Sequence, residues 1–288
     1  MIFPRRHLTI PLPKFKLKQR KIWLIGGTCE SAVIAKELAF AGLPCTISVT
    51  TDAAKSLYPT SPFLEIWVGK LTLSDIKSFL RIHEITAIVD ASHPYATEIS
   101  QLAITVASEH ELPYLRYERP LEDREPENPI HKNSPLSQTP RGNVITLENL
   151  DHLFQENYLE NQRVLLTLGY KALSRFLPWQ DRATLFARIL PSITGLTAAL
   201  ASGFTPDRIL AIRPPISANL EKALWEQWEI SLVVAKSSGV PGGEGVKRAL
   251  AEELGVALIL LERPQLSYPQ QTNDFSVAVE FCRYLFNN

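Results

Sequence analysis

From residue 21 onward, short β-branched runs alternate with longer amphipathic stretches, and this rhythm constrains the fold more than any other feature of the chain. It is the pattern of βα units wound into a parallel sheet. It predicts strands at 22–25, 45–50, 64–68, 86–91 and 113–117, with helices at about 30–41, 73–83 and 96–110. Residues 119–143 break the rhythm. They are rich in proline, charge and small polar groups and read as a linker or surface excursion. From about residue 163 the rhythm resumes, in RVLLTLG, ATLFARIL, RILAIRPP, ISLVVAKSSG and VALILLERP.

The halves resemble one another. ITAIVDASHP at 85 aligns with ISLVVAKSSG at 230, and LPYLRYERP aligns with VALILLERP, at an offset of about 144 residues. Gly27 falls against Gly169, and Val68-Gly69 against Ile212-Arg213. Two similarly wound domains explain this register, by duplication or by the generic likeness of parallel αβ repeats. The expected class is therefore α/β, with two Rossmann-like parallel-sheet domains facing across a cleft. The expected boundaries are a basic N-terminal extension at 1–20 outside the ordered fold, a dinucleotide-binding domain at 21–120, a linker at 121–160 and a substrate-binding domain at 161–288.

Lysine and arginine balance aspartate and glutamate among the 288 residues, so no overall field attracts nucleic acid or an anionic membrane. No apolar run approaches the roughly 20 residues that span a bilayer. Cys29, Cys45 and Cys282 form no C-x-x-C pair, which argues against a structural zinc or disulfide framework and fits a reducing cytoplasm. No Walker A loop, H-E-x-x-H helix or pair of catalytic carboxylates appears. No protein-bound metal is expected, and the sequence leaves the oligomeric state open, a monomer included.

In open αβ sheets, ligands bind beyond the carboxyl ends of the strands. The first strand ends in Gly26, Gly27 and Thr28, where glycine lets a phosphate approach and a helix N-terminus follows. The usual G-x-G-x-x-G spacing is absent: Thr28 and Ser31 hold the second and third glycine positions. Thr28 offers a hydroxyl. Glu30 suits either the helix dipole or a ribose hydroxyl. Thr50 and Thr51, with Lys55, suit a 2′-phosphate, whereas Asp52 suits a free ribose hydroxyl or a helix cap, which leaves NADH against NADPH open. The fourth strand ends in Asp90, Ser92 and His93. His93 is the candidate proton donor or carboxylate contact, with solvent as its competitor and a structural role as the alternative. Tyr95 offers a flat face for a ring. In the second half, Lys171, Arg188, Arg213, Lys236 and Lys247, with Ser237 and Ser238, form a candidate rim for a polyanion, almost free of acids.

The segments LIGGTCE, GKL at 69–71, VDASHPYA, LRYERP, KSSG and LLERP together resemble the precorrin-6A reductase family of cobalamin biosynthesis, over residues 21–288. SVTTDAAKSLYP and GKL look more like the branch that acts on the cobalt-containing intermediate; the other branch carries an A-G-R segment after the second strand. RPPIS at 213–217 departs from a Gly-Pro-Phe-Ser-like segment of the family, and the first 20 residues have no counterpart. The resemblance implies a reductase. A diffusible NADPH or NADH would deliver hydride to one carbon of a C=C bond in a corrin-type macrocycle, and a proton would join the neighbouring carbon. Gly26, Gly27, Thr28, Glu30, Thr50, Thr51, Asp52 and Ser92 would hold the cofactor. The cationic rim and Tyr95 would hold the tetrapyrrole carboxylates and ring. The alternatives are a non-catalytic corrinoid or nucleotide-binding module, and another NAD(P)-dependent αβ oxidoreductase.

Overall fold

A computed structural model describes residues 20–120, 144–239 and 242–287. Residues 1–19 of the expected 1–20 extension, and 121–143 of the expected linker, lie outside them. The chain forms two compact units. The first holds the residues up to His93, Glu98–Tyr117 and Tyr268–Asn288; the second holds Pro94–Thr97 and Glu118–Ser267.

The first unit is built from β1 (Lys21–Ile25), α1 (Cys29–Phe40), β2 (Cys45–Val49), β3 (Leu64–Val68), α2 (Leu73–Ile82), β4 (Ile85–Asp90), α3 (Thr97–Glu109) and β5 (Tyr114–Tyr117). These lie within a residue or so of the expected strands and helices. All pairings in its sheet are parallel. Parallel strands are covered on both faces, and β1 shows why its sequence is apolar from Ile22 to Ile25. Ile22 and Leu24 pack with Ile34, Ala35 and Leu38 of α1. Trp23 and Ile25 point the other way, onto Ile76, Phe79 and Leu80 of α2 and Ala103 and Val106 of α3. The one polar atom that Trp23 buries is satisfied: its indole N–H donates to Ser48 Oγ at 2.8 Å.

The second unit contains β6 (Val144–Leu147), α4 (Leu150–Gln155), β7 (Arg163–Thr167), a 3₁₀ segment (Tyr170–Trp179), β8 (Thr184–Ile189), α5 (Ile193–Ala201), β9 (Ile209–Ala211), α6 (Ala218–Gln227), β10 (Leu232–Lys236), α7 (Glu244–Leu254) and β11 (Ala257–Leu261). β6 and α4 fall inside the span expected to be a linker, which is corrected here: β6 pairs with the edge of β11, and Leu153 of α4 is fully buried. After β11 the chain returns to the first unit as β12 (Gln271–Thr272) and α8 (Phe275–Asn287). Ala278 and Cys282 of α8 are buried in the core beside α1.

The strand orders are β12-β5-β4-β1-β2-β3 and β6-β11-β10-β7-β8-β9. Five strands run in one order in both, β5-β4-β1-β2-β3 and β11-β10-β7-β8-β9, and the sixth place is filled by a later strand in one unit and an earlier strand in the other. Within those five strands the order reverses once, between β1 and β4 and between β7 and β10. Those two switch points are where the strand-end chemistry must be sought.

Candidate functional site

At the first switch point, β1 runs into Gly26. A Cβ there would stand 2.3 Å from Tyr58 Oη and 2.9 Å from Ile47, so only glycine fits. Gly27 has φ +97°, and nothing lies within 4 Å of where its Cβ would be. One glycine is required by packing, the other by conformation, and the second opens onto free space. Thr28 caps α1 and accepts from Ser31 N at 3.1 Å; Ser31 Oγ accepts from Thr28 N at 3.1 Å. Ser31 thus replaces the third glycine with a reciprocal cap. The Thr28 hydroxyl proton, expected for a ligand, goes to Ala91 O at 2.8 Å and ties the end of β4 to the turn. Glu30 is buried in the first turn of α1.

Tyr58 was not anticipated from sequence. Its hydroxyl accepts from Gly27 N at 2.7 Å and shares a hydrogen bond with Ser31 Oγ at 2.8 Å. Burial raises its phenol above the ordinary value, so it remains a neutral brace. The N–H groups of Gly26, Gly27 and Thr28 are therefore engaged by Ser48 O, Tyr58 Oη and Ser31 Oγ. What remains toward an anion is the first turn of α1 and its positive dipole end, beside the open face of Gly27. Those features fit the pyrophosphate of a dinucleotide. On the neighbouring strand end, Thr50, Thr51 and Asp52 are exposed. Asp52 does not cap the following 3₁₀ turn; Thr51 precedes it, and Asp52 pairs with Lys55 at 2.9 Å.

Asp90, the last residue of β4, is fully buried. Its carboxylate accepts from Tyr114 Oη at 2.9 Å, Arg116 Nη1 at 2.9 Å and Ser92 N at 3.0 Å. Arg116 also donates to Ser92 Oγ at 3.1 Å and is itself fully buried. Ser92, expected at the cofactor, is thus buried in a network beneath the strand end, and half-buried His93 follows it. Burial and the Asp90 charge raise the Tyr114 phenol, which keeps it a donor. The second unit places Ala235 and Leu260 at the equivalent register, an apolar pair in place of an ionic one.

At the second switch point Gly169, with φ +79° and open space at its Cβ position, repeats the role of Gly27. Lys236 ends β10 with its ammonium 4.7 Å from the centre of the Tyr95 ring. Burial, and then the neighbouring Lys171, lower its pKa. Neither lysine has an acid within ion-pair distance among the described residues. Tyr95 is fixed in place: its hydroxyl donates to Leu261 O and accepts from Ser237 N at 2.9 Å. The ring face expected to meet a ligand is met by Lys236.

The expected five-cation rim is narrower than that. Arg188 pairs with buried Glu221, which also accepts from Trp225 Nε1 at 3.1 Å. Lys247 is buried and donates to the carbonyls of Gly242 and Gly243, both at 3.1 Å. Nor is the region almost free of acid: buried Glu244 accepts from Ser237 Oγ at 3.2 Å, Gly239 N at 3.0 Å and Arg248. A cation or hydroxyl removed from water needs such a partner, and sequence spacing does not show it. Ser237 and Ser238 are buried in the loop that Glu244 organises. Lys171 and Arg213 are exposed and Lys236 half-buried.

The repeated E-R-P also has a structural meaning that the sequence hid. Within the second unit, Arg263 donates to Glu118 at 2.7 Å, to Arg119 O and Pro120 O, and to Ser237 O at 3.0 Å. Arg119 donates to Ser238 O at 2.7 Å. The two copies interlock and hold the K-S-S-G loop between them.

Residues 21–283 match the family model described as precorrin-6x reductase CbiJ/CobK. A cobalt-precorrin-6A reductase from Synechocystis sp. is 45% identical over 262 residues, covering 91% of this chain and 95% of the relative. One from Priestia megaterium is 32% identical over 263 residues, covering 90% and 96%. The solved structure of a CobK precorrin-6A reductase matches with TM-score 0.71 and 20% identity, over 92% of this chain and 96% of that one, a likeness of fold. With two parallel sheets wound alike and the family pattern spanning nearly all of both, the chain belongs to the precorrin-6x reductase family.

Proposed function

We propose that this chain reduces a C=C bond of the cobalt-precorrin-6A macrocycle with a nicotinamide dinucleotide as hydride donor. The observation that carries the reading is the glycine turn at the first switch point, within a chain whose relatives bear that activity in their names. The cobalt-containing form is favoured over the metal-free form by those names. The bound cofactor supplies the hydride; the chain supplies position and charge.

Gly26 and Gly27 bring the backbone close to the pyrophosphate, and the first turn of α1 faces its charge. Thr50, Thr51 and the Asp52–Lys55 pair flank the adenosine ribose, with the carboxylate suited to a free 2′-hydroxyl and the lysine to a 2′-phosphate. Thr28 acts through the backbone it ties at Ala91 and Ser92 through its contact with Arg116, and His93, after the end of β4, is the proton donor or carboxylate contact. In the second unit Lys171, Lys236 and Arg213 receive substrate carboxylates. Tyr95, Ser237, Ser238, Arg188 and Lys247 shape the loops that present them.

The test is to incubate the full chain with precorrin-6A or its cobalt form, with NADH or NADPH, and follow nicotinamide oxidation. Oxidation with the cobalt form is expected. No oxidation in any combination overturns the reading, and binding of the macrocycle without turnover replaces it with a carrier function.

A further inference from the structure

The turn after β1 departs from the G-x-G-x-x-G spacing at its second and third glycines, and both departures lead to Tyr58. Ser31, in the third position, has its one hydroxyl proton committed to Thr28 O at 2.7 Å and accepts from Thr28 N at 3.1 Å. Its 2.8 Å bond with Tyr58 therefore runs from the phenol to Ser31. Tyr58 Oη in turn accepts from Gly27 N at 2.7 Å. The result is one directed chain, from Gly27 N–H through the Tyr58 and Ser31 hydroxyls to Thr28 C=O. A Cβ on Gly26 would collide with the Tyr58 hydroxyl, so the first glycine makes room for the same group. Thr28, in the second position, closes the chain and ties it to Ala91 O through its own hydroxyl. Gly27 N–H thus points into the protein, toward Tyr58, while its Cβ position faces open space. The phenol supports the turn from the core side and leaves the ligand face clear.

Tyr58 also ends the neighbouring turn. The 3₁₀ turn Asp52–Leu57 has no buried residue, and Tyr58, directly after it, is buried. Tyr58 N donates to Lys55 O at 3.1 Å. The Asp52–Lys55 ion pair, at 2.9 Å, lies on this turn. One residue therefore anchors both cofactor turns, the ribose-side turn by its backbone and the glycine turn by its side chain. We infer that Tyr58 is a positioning residue for the dinucleotide: it fixes the spacing between the two turns, and so sets discrimination at the ribose 2′ position as well as affinity. The inference rests on the reading of the first unit as the dinucleotide site. NADH and NADPH share the pyrophosphate and differ only by the 2′-phosphate. While the spacing is fixed, a cofactor held at its pyrophosphate meets the Asp52–Lys55 turn without further ordering. Once the spacing is free, the turn must be ordered as the cofactor binds, and the 2′ contact contributes less. A hydroxyl that only completed the core would affect both cofactors alike.

Isothermal titration calorimetry of the full chain with NADH and with NADPH tests it, on the wild type and on Tyr58→Phe, which keeps the ring and removes the oxygen. The wild type is expected to prefer one cofactor. Tyr58→Phe is expected to weaken the preferred cofactor about 10-fold and the other less, so that the ratio of the two dissociation constants moves toward one. Hydrogen exchange of the free variant is expected to rise in residues 26–31 and 51–58 and to stay unchanged in β4 and β5. An equal loss for both cofactors, or no loss, overturns the inference while the dinucleotide reading stands. So does a wild type that binds both alike. A variant that does not fold, or whose exchange rises throughout the first unit, also overturns it, since the hydroxyl then supports the unit and not the turns. A wild type that binds neither cofactor overturns both the inference and the dinucleotide reading.

Discussion

Asp90 and Arg116 place opposite charges in the core with virtually no solvent contact, so neither tolerates loss of the other. Asp90→Ala should cost about 3–5 kcal/mol in urea denaturation, because it leaves a buried guanidinium uncompensated. The double change Asp90→Ala with Arg116→Leu copies the Ala235–Leu260 pair of the second unit and should cost less than the single change. A double variant less stable than the single one would show that the two charges are not coupled in this way. Lys236 gives the pH prediction. Burial and Lys171 disfavour its ammonium form, so anion binding should weaken as pH rises, below the ordinary lysine range. Lys171→Ala removes the like charge, raises the Lys236 pKa and should move that alkaline limb of KM to higher pH. An unmoved limb would place the titration on another group. Both features depend on partners far apart in sequence. Asp90 was legible as a polar strand end, but Tyr114 and Arg116 were not legible as its partners, and Tyr58 gave no signal as the brace of the glycine turn.

At the scale of elements, the strands and helices of the regular βα units follow from the periodicity, because each parallel strand must be apolar on both faces and each helix on one. Strands β6 and β12 escaped that reading. β6 is a half-buried edge strand, and β12 consists of two polar residues whose pairing with Arg116 and Tyr117 depends on the sheet already being there. The C-terminal helix α8 was placed in the second domain by sequence order. Its Ala278 and Cys282 are fully buried among residues of the first unit, where burial pushes the Cys282 thiol up to about 12 and leaves it inert. Ending the chain at Ser267 should therefore destabilise the first unit. Hydrogen exchange is expected to rise in α1 and β1 while β7 and β10 keep their protection; loss of protection in the second unit instead would refute the assignment of α8.

For the molecule as a whole, the sequence by itself determined the class: two similarly wound parallel αβ sheets, the glycine turn that opens the first, and the family to which both belong. Those follow from local signals, since hydrophobic period, glycine and the order of short motifs are written along the chain. Tertiary structure alone decided which polar groups remain for a ligand. Five cations in the second half looked alike in sequence. Folding gave Arg188 a carboxylate and Lys247 two carbonyls, and gave Lys171, Arg213 and Lys236 no ion-pair partner among the described residues. The repeated E-R-P looked like a trace of duplication and proved to be an interlock. The physical reason is common to both cases: desolvating a charge demands a partner, and the partner is set by which distant segments meet.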